Sequence, residues 1–292
     1  MKRCIVFFLL FIVFCAAVDA QTEKPKDGSP YKSDFVTANG IKLHYLDWGG
    51  KGETVLFISG VGDGARYFDE MARQFTDKFR VLALTRRGYG KSDKPETGYD
   101  VATLTEDVRK FLDVMKIDKV HLIAHSAGGN ELIQFASSYP KRTLRLVFLD
   151  AAYDRREVVA MEKLNPLPDP VPSATSPILK DRIEFEFFRF MDVFEPPYKK
   201  IQAPALSYYS IFEQHWDVKP DTDEATKAKA QAFIEKVVQP YQFRNAERFR
   251  KEVKKGEVVI LRNTTHYFFE DPKQKVALFA KIRAFLLGKQ LL

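Results

Sequence analysis

Residues 120–140 read VHLIAHSAGGNELIQFASSYP, and this stretch decides the fold. Its first five residues form an apolar run typical of a buried strand. A tight turn follows around Ser126, and apolar residues then recur at helical spacing until Pro140. A strand, a turn of small residues around one serine and a helix are together the setting of a nucleophile elbow. Ser126 is therefore the predicted nucleophile.

The neighbours of Ser126 are small, as this geometry requires. Ala124 lies two residues before the serine and Gly128 two residues after it, where a strand and a helix approach each other closely. The N-terminus of the following helix directs backbone N–H groups to the place where an oxyanion would form. The stretch resembles the nucleophile elbow of the α/β-hydrolase family, with Ala124 standing where the family usually has glycine.

A glycine-rich loop, GVGDG at residues 60–64, follows a short apolar strand over residues 54–59. The family has His-Gly-x-Gly at this position, and Ser59 replaces that histidine here. The resemblance implies that the backbone N–H groups of Val61 and Ala127 form an oxyanion hole. Two donors are needed because a tetrahedral intermediate places a full negative charge on one oxygen.

The resemblance also locates the other two members of a catalytic triad. In the family the acid comes a few residues after the strand that this chain has at residues 203–209, and the matching position is Glu213. Asp150, which ends the preceding strand, is the main rival, and Asp217 is the third choice. The base is His266, in a loop between the last strand and a terminal helix. It would take the proton of Ser126 while the carboxylate fixes the imidazole tautomer.

Strand and helix patterns alternate along the chain, which predicts a parallel sheet covered by helices on both faces. A hairpin that turns at Asn39-Gly40 precedes the alternating part. Residues 101–115 predict an amphipathic helix, and residues 222–255 a largely helical segment broken at Pro240. The predicted fold class is α/β: a doubly wound, mostly parallel eight-stranded sheet flanked by helices, with a helical cap insertion, as the resemblance implies.

The alternation is interrupted between two strands, by an insertion over about residues 153–200 that carries seven prolines. A helix-like segment within it places Phe187, Phe190 and Met191 on one face. In the family, an insertion at this point is the cap that covers the active site. These three residues are therefore predicted to contact an apolar part of the substrate. The alternative is that they dock the insertion onto the core.

The first residues predict a secretory signal peptide over residues 1–20. Lys2 and Arg3 precede an apolar run over residues 5–18, and Ala20 is a small residue suitable for cleavage. The run is too short for a membrane-spanning helix. The mature protein is thus expected to be secreted or periplasmic, without a stable membrane anchor.

Residues 21–32 are polar and predict a flexible segment, and residues 33–292 predict one α/β-hydrolase domain that includes the cap. The formal net charge is +7, but basic residues are interspersed with acidic ones, which argues against nucleic-acid binding. No group of histidines and carboxylates has metal-ligand spacing, so neither a metal nor another cofactor is expected. The expected partner is a small-molecule substrate.

The resemblance implies a serine hydrolase that cleaves a carboxylic ester, or a related acyl bond, through an acyl-enzyme on Ser126. Thioesterase, lactonase, amidase, carbon–carbon hydrolase and cofactor-free oxidative or lyase activities are alternatives on the same triad. A serine argues against epoxide hydrolases and haloalkane dehalogenases, which use aspartate here. A different class of function is a catalytically weak hydrolase fold that binds a ligand. It is suggested by the departures at Ala124, Ser59 and Thr85, of which Thr85 stands in place of the aspartate of the family's Asp-x-Arg-Gly-x-Gly-x-Ser turn.

Overall fold

The computed structural model describes residues 30–167 and 174–289 of the chain. The predicted signal peptide and part of the predicted cap lie outside the described residues. The strands are β1 (Lys32–Ala38), β2 (Ile41–Gly49), β3 (Thr54–Ile58), β4 (Arg80–Leu84), β5 (Val120–His125), β6 (Thr143–Leu149), β7 (Ala205–Ile211) and β8 (Gly256–Arg262). The main helices are α1 (Asp69–Arg73), α2 (Val101–Val114), α3 (Gly128–Ser138), α4 (Val158–Glu162), α5 (Leu179–Met191), α6 (Glu224–Phe233), α7 (Gln239–Glu252) and α8 (Lys275–Leu286).

These strands form one eight-stranded sheet in the order β1-β2-β4-β3-β5-β6-β7-β8. β1 pairs with β2, and β2 with β4, in antiparallel fashion, whereas every pair from β4 across to β8 is parallel. Asn39 and Gly40 both have positive φ at the turn between β1 and β2, as a two-residue hairpin turn requires. The predicted hairpin and the predicted mostly parallel eight-stranded sheet are confirmed.

Helices cover both faces of the sheet and form two apolar clusters. On β5, Leu122 and Ala124 belong to the cluster that contains α2, α3 and α7, whereas Ile123 belongs to the cluster that contains α1 and α8. Successive side chains of a strand point to opposite faces, so a strand buried on both faces is apolar at nearly every position. This is why residues 120–124 are apolar apart from His121, whose side chain is also buried.

Two connections at the carboxyl edge of the sheet are long and helical. The chain between β6 and β7 contains α4 and α5, and the chain between β7 and β8 contains α6 and α7, joined by a π-helical turn at Ile234–Val238. The sequence predicts a break at Pro240; the chain stays helical there, but the regular α-helix is interrupted by the π-helical turn just before this proline, which lies in the first turn of α7. Within the described ranges, no helix has both the length and the apolar character needed to cross a membrane.

Candidate active site

Ser126 occupies the turn between β5 and α3 with φ of 52°. Its N–H donates to the carbonyl oxygen of Leu149, the last residue of β6, at 3.2 Å. A non-glycine residue in the left-handed region is strained and persists only where the surrounding structure imposes it. The structure therefore gives Ser126 the backbone geometry of a nucleophile elbow.

The glycines after Ser126 let α3 approach the sheet. A Cβ on Gly128 would lie 2.8 Å from the carbonyl oxygens of both Ile58 and Ser59. A Cβ on Gly129 would lie 1.8 Å from the carbonyl oxygen of Ala151, closer than any two such atoms can come. Gly128 was identified from the sequence, but the tighter contact at Gly129 was not.

The acid that contacts His266 is Asp150. The Nδ1 of His266 donates to Asp150 Oδ2 at 2.7 Å, and the Asp150 side chain is 2% exposed. Glu213, the first choice from the sequence, lines the same cavity, but the described side chains bring Asp150 rather than Glu213 to the imidazole. Asp217 is likewise not the partner of His266. The sequence-based choice of acid is corrected accordingly.

The backbone of Asp150 explains the correction. Asp150 follows β6 with φ of 50°, which turns its carboxylate across the end of β7, where Oδ1 accepts from the N–H of Ser210 at 3.0 Å. The hydroxyl of Tyr153 also donates to Oδ1, at 2.6 Å. The other oxygen is left for His266. Hydrogen bonds to both oxygens fix the direction of the buried carboxylate.

This hydrogen bond also settles the tautomer of His266. In the neutral imidazole, an Nδ1–H that donates to the carboxylate makes Nε2 the nitrogen that can accept a proton. Ser126, Asp150 and His266 line one cavity at the carboxyl edge of the sheet. In a parallel sheet this edge is where ligands bind. The arrangement is chemically competent for nucleophilic attack with general-base assistance.

His125, next to the nucleophile, contacts the loop that carries the base. Its Nε2 donates to the carbonyl oxygen of His266 at 3.1 Å, and the two rings lie 4.3 Å apart between centroids. Burial, which disfavours the charged form of the ring, holds the pKa of His125 well below its ordinary value. The ring is therefore neutral and links the position of the base to that of the nucleophile.

The loop over residues 60–64 lies against the nucleophile. A Cβ on Gly60 would lie 3.0 Å from Ser126 Cβ, and Val61 packs against the same apolar cluster as Ala127. In the described part of the chain, no backbone carbonyl accepts a hydrogen bond from the N–H of Val61 or Ala127. Ala127 lines the cavity of Ser126, and Val61 follows Gly60, which packs against Ser126; their role as oxyanion donors stays a prediction.

The cavity that contains Ser126 has a volume of about 960 Å³, within the range of small-molecule sites. Its apolar wall comes from α4, from the loop after β7 and from the α6–α7 segment. The members of this wall are Val158, Met161, Phe212, Trp216, Phe233 and Val238. Among the residues that the structure describes, no group of three or more histidine, cysteine or acidic side chains could hold a metal ion.

The side chains predicted from the sequence to contact substrate do not line this cavity. Phe187 and Met191 are 0% and 2% exposed and belong, with Tyr89, to a separate apolar cluster; Phe190 packs against its edge. The face of α5 that carries them docks the insertion onto the core. The prediction of Phe187, Phe190 and Met191 as substrate contacts is therefore corrected. The wall residues from α4 and the β7–β8 connection were missed because the sequence offered no periodic signal for them.

Comparison with known proteins agrees with the observed fold. A family model for the alpha/beta hydrolase fold matches residues 53–183. An uncharacterized protein of Mycobacterium tuberculosis is 31% identical over 143 residues, which are 49% of this chain and 42% of that protein. A non-heme chloroperoxidase of Kitasatospora aureofaciens is 32% identical over 155 residues, which are 53% of this chain and 54% of the relative. The match thus spans about half the length of these curated relatives.

Solved structures extend the likeness over most of the chain. A carboxylesterase of Bacillus subtilis superposes with a TM-score of 0.62 at 17% sequence identity, covering 89% of this chain and 93% of that one. At this level of identity the likeness concerns the fold. It includes the region beyond residue 183, to which β7, β8 and the loop of His266 belong.

Proposed function

Because the chain is an α/β-hydrolase-fold protein, we propose that it is a serine hydrolase that cleaves a carboxylic ester, or a related acyl bond, of a small, partly apolar substrate. The observation that carries this proposal is the 2.7 Å hydrogen bond between His266 and Asp150 in the cavity that Ser126 lines. In this proposal Ser126 is the nucleophile, His266 the general base and Asp150 the acid that orients it.

Acylation uses the unprotonated Nε2 of His266. Ser126 Oγ attacks the carbonyl carbon of the substrate while its proton passes to Nε2, and Asp150 stabilises the imidazolium that forms. The N–H groups of Val61 and Ala127 hold the oxyanion of the tetrahedral intermediate. The bond to the leaving oxygen then breaks, and the leaving alcohol takes the proton from His266.

Deacylation repeats these steps with water. His266 removes a proton from a water molecule, whose oxygen attacks the acyl-enzyme carbonyl, and the same two N–H groups hold the second oxyanion. Ser126 leaves with the proton that His266 returns to it, and the carboxylic acid product departs. Each group therefore acts twice in one turnover.

The cavity supports a substrate with one apolar portion. The wall that contains Met161, Phe212 and Trp216 extends away from Ser126, and it can remove a short alkyl chain or an aromatic ring from water. Trp216 stacks on His215 with ring centroids 4.3 Å apart and an interplanar angle of 21°, which keeps its indole in a fixed orientation. Esters with small apolar acyl or alcohol groups are the expected substrates.

We also propose that residues 1–20 are removed as a signal peptide and that the mature enzyme acts in a periplasm or outside the cell. The basic start, the apolar run and the small residue at Ala20 support this. N-terminal sequencing of protein recovered from the periplasmic and extracellular fractions tests it. A first residue of Gln21 is expected, whereas an intact N-terminus in the membrane fraction would contradict it.

A second candidate is cofactor-free oxidative chemistry on the same acyl-enzyme, favoured by the similarity to a chloroperoxidase. If hydrogen peroxide replaces water in deacylation, its oxygen attacks the acyl carbonyl. Ser126 then regains its proton, and a peroxy acid is released. Formation of peracetic acid from acetate ester and hydrogen peroxide, compared with ester hydrolysis in the same preparation, distinguishes the two.

The experiment that tests the proposed function is intact mass analysis after treatment with a fluorophosphonate, which reacts with activated serines. The mature protein is expected to gain one adduct, and the Ser126→Ala variant none. A panel of p-nitrophenyl esters of increasing acyl length then defines the substrate preference. If the unaltered protein gains no adduct and cleaves no ester, a ligand-binding function replaces hydrolysis.

A further inference from the structure

Arg86 follows β4, and its buried side chain reaches the loop after β3. The residue is 3% exposed, and its Nη2 donates to the carbonyl oxygen of Gly60 at 2.8 Å. Its Nη1 donates to Glu131 Oε1 on α3 at 3.0 Å, in an ion pair whose side chains are 2% and 1% exposed. One guanidinium therefore joins the end of a strand, the glycine-rich loop and the helix that begins after the nucleophile.

The hydrogen bond to Gly60 acts on the neighbouring residue as well. The carbonyl of Gly60 and the N–H of Val61 belong to one peptide group, which is planar and trans, so that the two bonds point in opposite directions. A guanidinium that fixes the carbonyl therefore fixes the direction of the N–H. The same loop touches the nucleophile, because a Cβ on Gly60 would lie 3.0 Å from Ser126 Cβ.

We propose that Arg86 is a positioning residue of the oxyanion hole, which directs the N–H of Val61 toward the developing oxyanion by holding the peptide between residues 60 and 61. This inference rests on the proposed function, since it needs a hydrolase that uses Val61 as an oxyanion donor. Arg86 itself contacts neither the substrate nor the reacting atoms.

The charge of Arg86 strengthens this arrangement. A hydrogen bond from a guanidinium is stronger than one between neutral groups, and a donor on the carbonyl polarises the peptide so that its N–H becomes a better donor. A lone buried cation would be costly. Glu131 pairs with the buried guanidinium at 3.0 Å, as a charge away from water requires.

The cap covers the guanidinium. The ring centroid of Phe187 on α5 lies 4.6 Å from Arg86 Cζ, and that of Tyr89 lies 5.3 Å from it. A cation over an aromatic face is stabilised, and more so when both are removed from water. Phe187 is 0% exposed, so it excludes water that would compete for the hydrogen bond to Gly60. This is a different role from the substrate contact predicted for Phe187.

Two side-chain hydrogen bonds brace the loop. Ser59, which replaces the family's histidine, donates from Oγ to the carbonyl oxygen of Asp63 at 2.9 Å. That bond closes the loop but leaves the peptide between residues 60 and 61 unconstrained. Arg86 supplies the missing constraint from the interior, which is consistent with a functional oxyanion hole despite the serine at position 59.

The test compares two double variants that each remove a buried arginine–carboxylate pair. Arg86→Met/Glu131→Gln removes the brace. Arg87→Met/Asp107→Asn removes the adjacent pair, in which Arg87 Nη2 donates to Asp107 Oδ1 at 2.7 Å and which is not bonded to the loop. For each variant, kcat and KM are measured on a p-nitrophenyl ester, together with the inhibition constant of a trifluoromethyl ketone, which forms a tetrahedral adduct on serine.

The first variant is expected to lose about 10- to 100-fold in kcat, with KM little changed, and to bind the trifluoromethyl ketone more weakly by a similar factor. The control pair is expected to lower thermal stability without this change in kcat. Equal kcat losses in both variants, or unchanged trifluoromethyl ketone affinity in the first, would overturn the proposal. If the double variant does not fold, Arg86→Lys provides the same comparison. Lysine keeps the positive charge but lacks the planar guanidinium that bonds Gly60 and Glu131 at the same time. Failure of the unaltered protein to hydrolyse any ester would instead refute the proposed function.

Discussion

His266 Nδ1 lies 2.7 Å from Asp150 Oδ2, and Asp150 follows the strand that pairs directly with the nucleophile strand. The last residues of the two strands, His125 and Leu149, are partners in the sheet, so Ser126 and Asp150 leave neighbouring strands at the same level. The base reaches both from the loop after β8. Three residues far apart in sequence thus meet at one sheet edge.

The identity of the acid can be tested by neutralising each carboxylate. Asp150→Asn removes the charge that stabilises the imidazolium and that fixes its tautomer, so kcat is expected to fall by about 10⁴-fold. Glu213→Gln is expected to leave kcat close to its original value, because the Asp150 hydrogen bond is retained. Steady-state kinetics on one ester measure both. A larger loss for Glu213→Gln than for Asp150→Asn would restore Glu213 as the acid.

Much of the fold was predictable because the physical rules behind it are local. Apolar runs at residues 54–58 and 120–124 mark strands buried on both faces, and Asn39-Gly40 has the residue types that tolerate positive φ. Ser126 was predictable for the same reason, since the small residues around it are required by a close approach within one short segment.

The identity of the acid and of the substrate contacts could not be predicted, because both depend on backbone conformation and on packing between distant segments. Asp150 and Glu213 both follow parallel strands at the same sheet edge, and the left-handed backbone at Asp150 decides between them. For α5, periodicity correctly indicates a buried face that includes Phe187, but it does not say what covers that face. This face of α5 packs against the apolar cluster that contains Tyr89 and against Arg86. The cavity wall comes from elements elsewhere in the chain.

The apolar wall of the cavity can be tested at Trp216. Trp216 is 46% exposed, and substrate is expected to bury much of this exposed part. Trp216→Ala should lower kcat/KM for esters with aromatic or longer acyl groups by about tenfold, equivalent to about 1.4 kcal/mol, and leave acetate esters nearly unaffected. Val159→Ala on α4 removes exposed apolar surface outside the cavity lining and is the control. A uniform loss across all acyl lengths would contradict the assigned wall.

Stability should depend on pH through His121. Its side chain is 2% exposed, and burial lowers the pKa of His121 despite a hydrogen bond to Glu53. Between this lowered value and the unfolded value of about 6.5, the unfolded chain binds a proton that the folded chain does not. The free energy of unfolding therefore falls as pH decreases below about 6.5, by at most about 1.4 kcal/mol per pH unit for this group.

Urea unfolding of the unaltered protein and of His121→Gln at pH 7.5, 6.5 and 5.5 measures this effect. The glutamine keeps a donor for Glu53 but does not titrate. The other buried histidines contribute equally to both proteins, so their effect cancels when the two free energies of unfolding are subtracted. The unaltered protein is expected to lose more stability than the variant between pH 6.5 and 5.5. An identical pH dependence for the two proteins would show that His121 is not responsible.

The close approach of α3 to the end of β6 predicts that Gly129 cannot be replaced. In an exposed helix, alanine is favoured over glycine by about 1 kcal/mol, but a Cβ at Gly129 would lie 1.8 Å from the carbonyl oxygen of Ala151. That atom is backbone, so relief requires α3 and the end of β6 to separate. Gly129→Ala is therefore expected to destabilise the fold by about 3 kcal/mol or more and, since Ala151 follows Asp150, to slow fluorophosphonate labelling of Ser126.

Gly64→Ala is the matched control, because nothing lies within 4 Å of a Cβ at Gly64 and its φ is −107°. It is expected to change the free energy of unfolding by no more than about 0.5 kcal/mol. Urea unfolding and the labelling rate are measured on both variants. If Gly129→Ala is as stable as Gly64→Ala but labels slowly, the contact serves the geometry of the site alone. If Gly129→Ala is both as stable as the control and labelled at the original rate, the close contact between α3 and the end of β6 is not required.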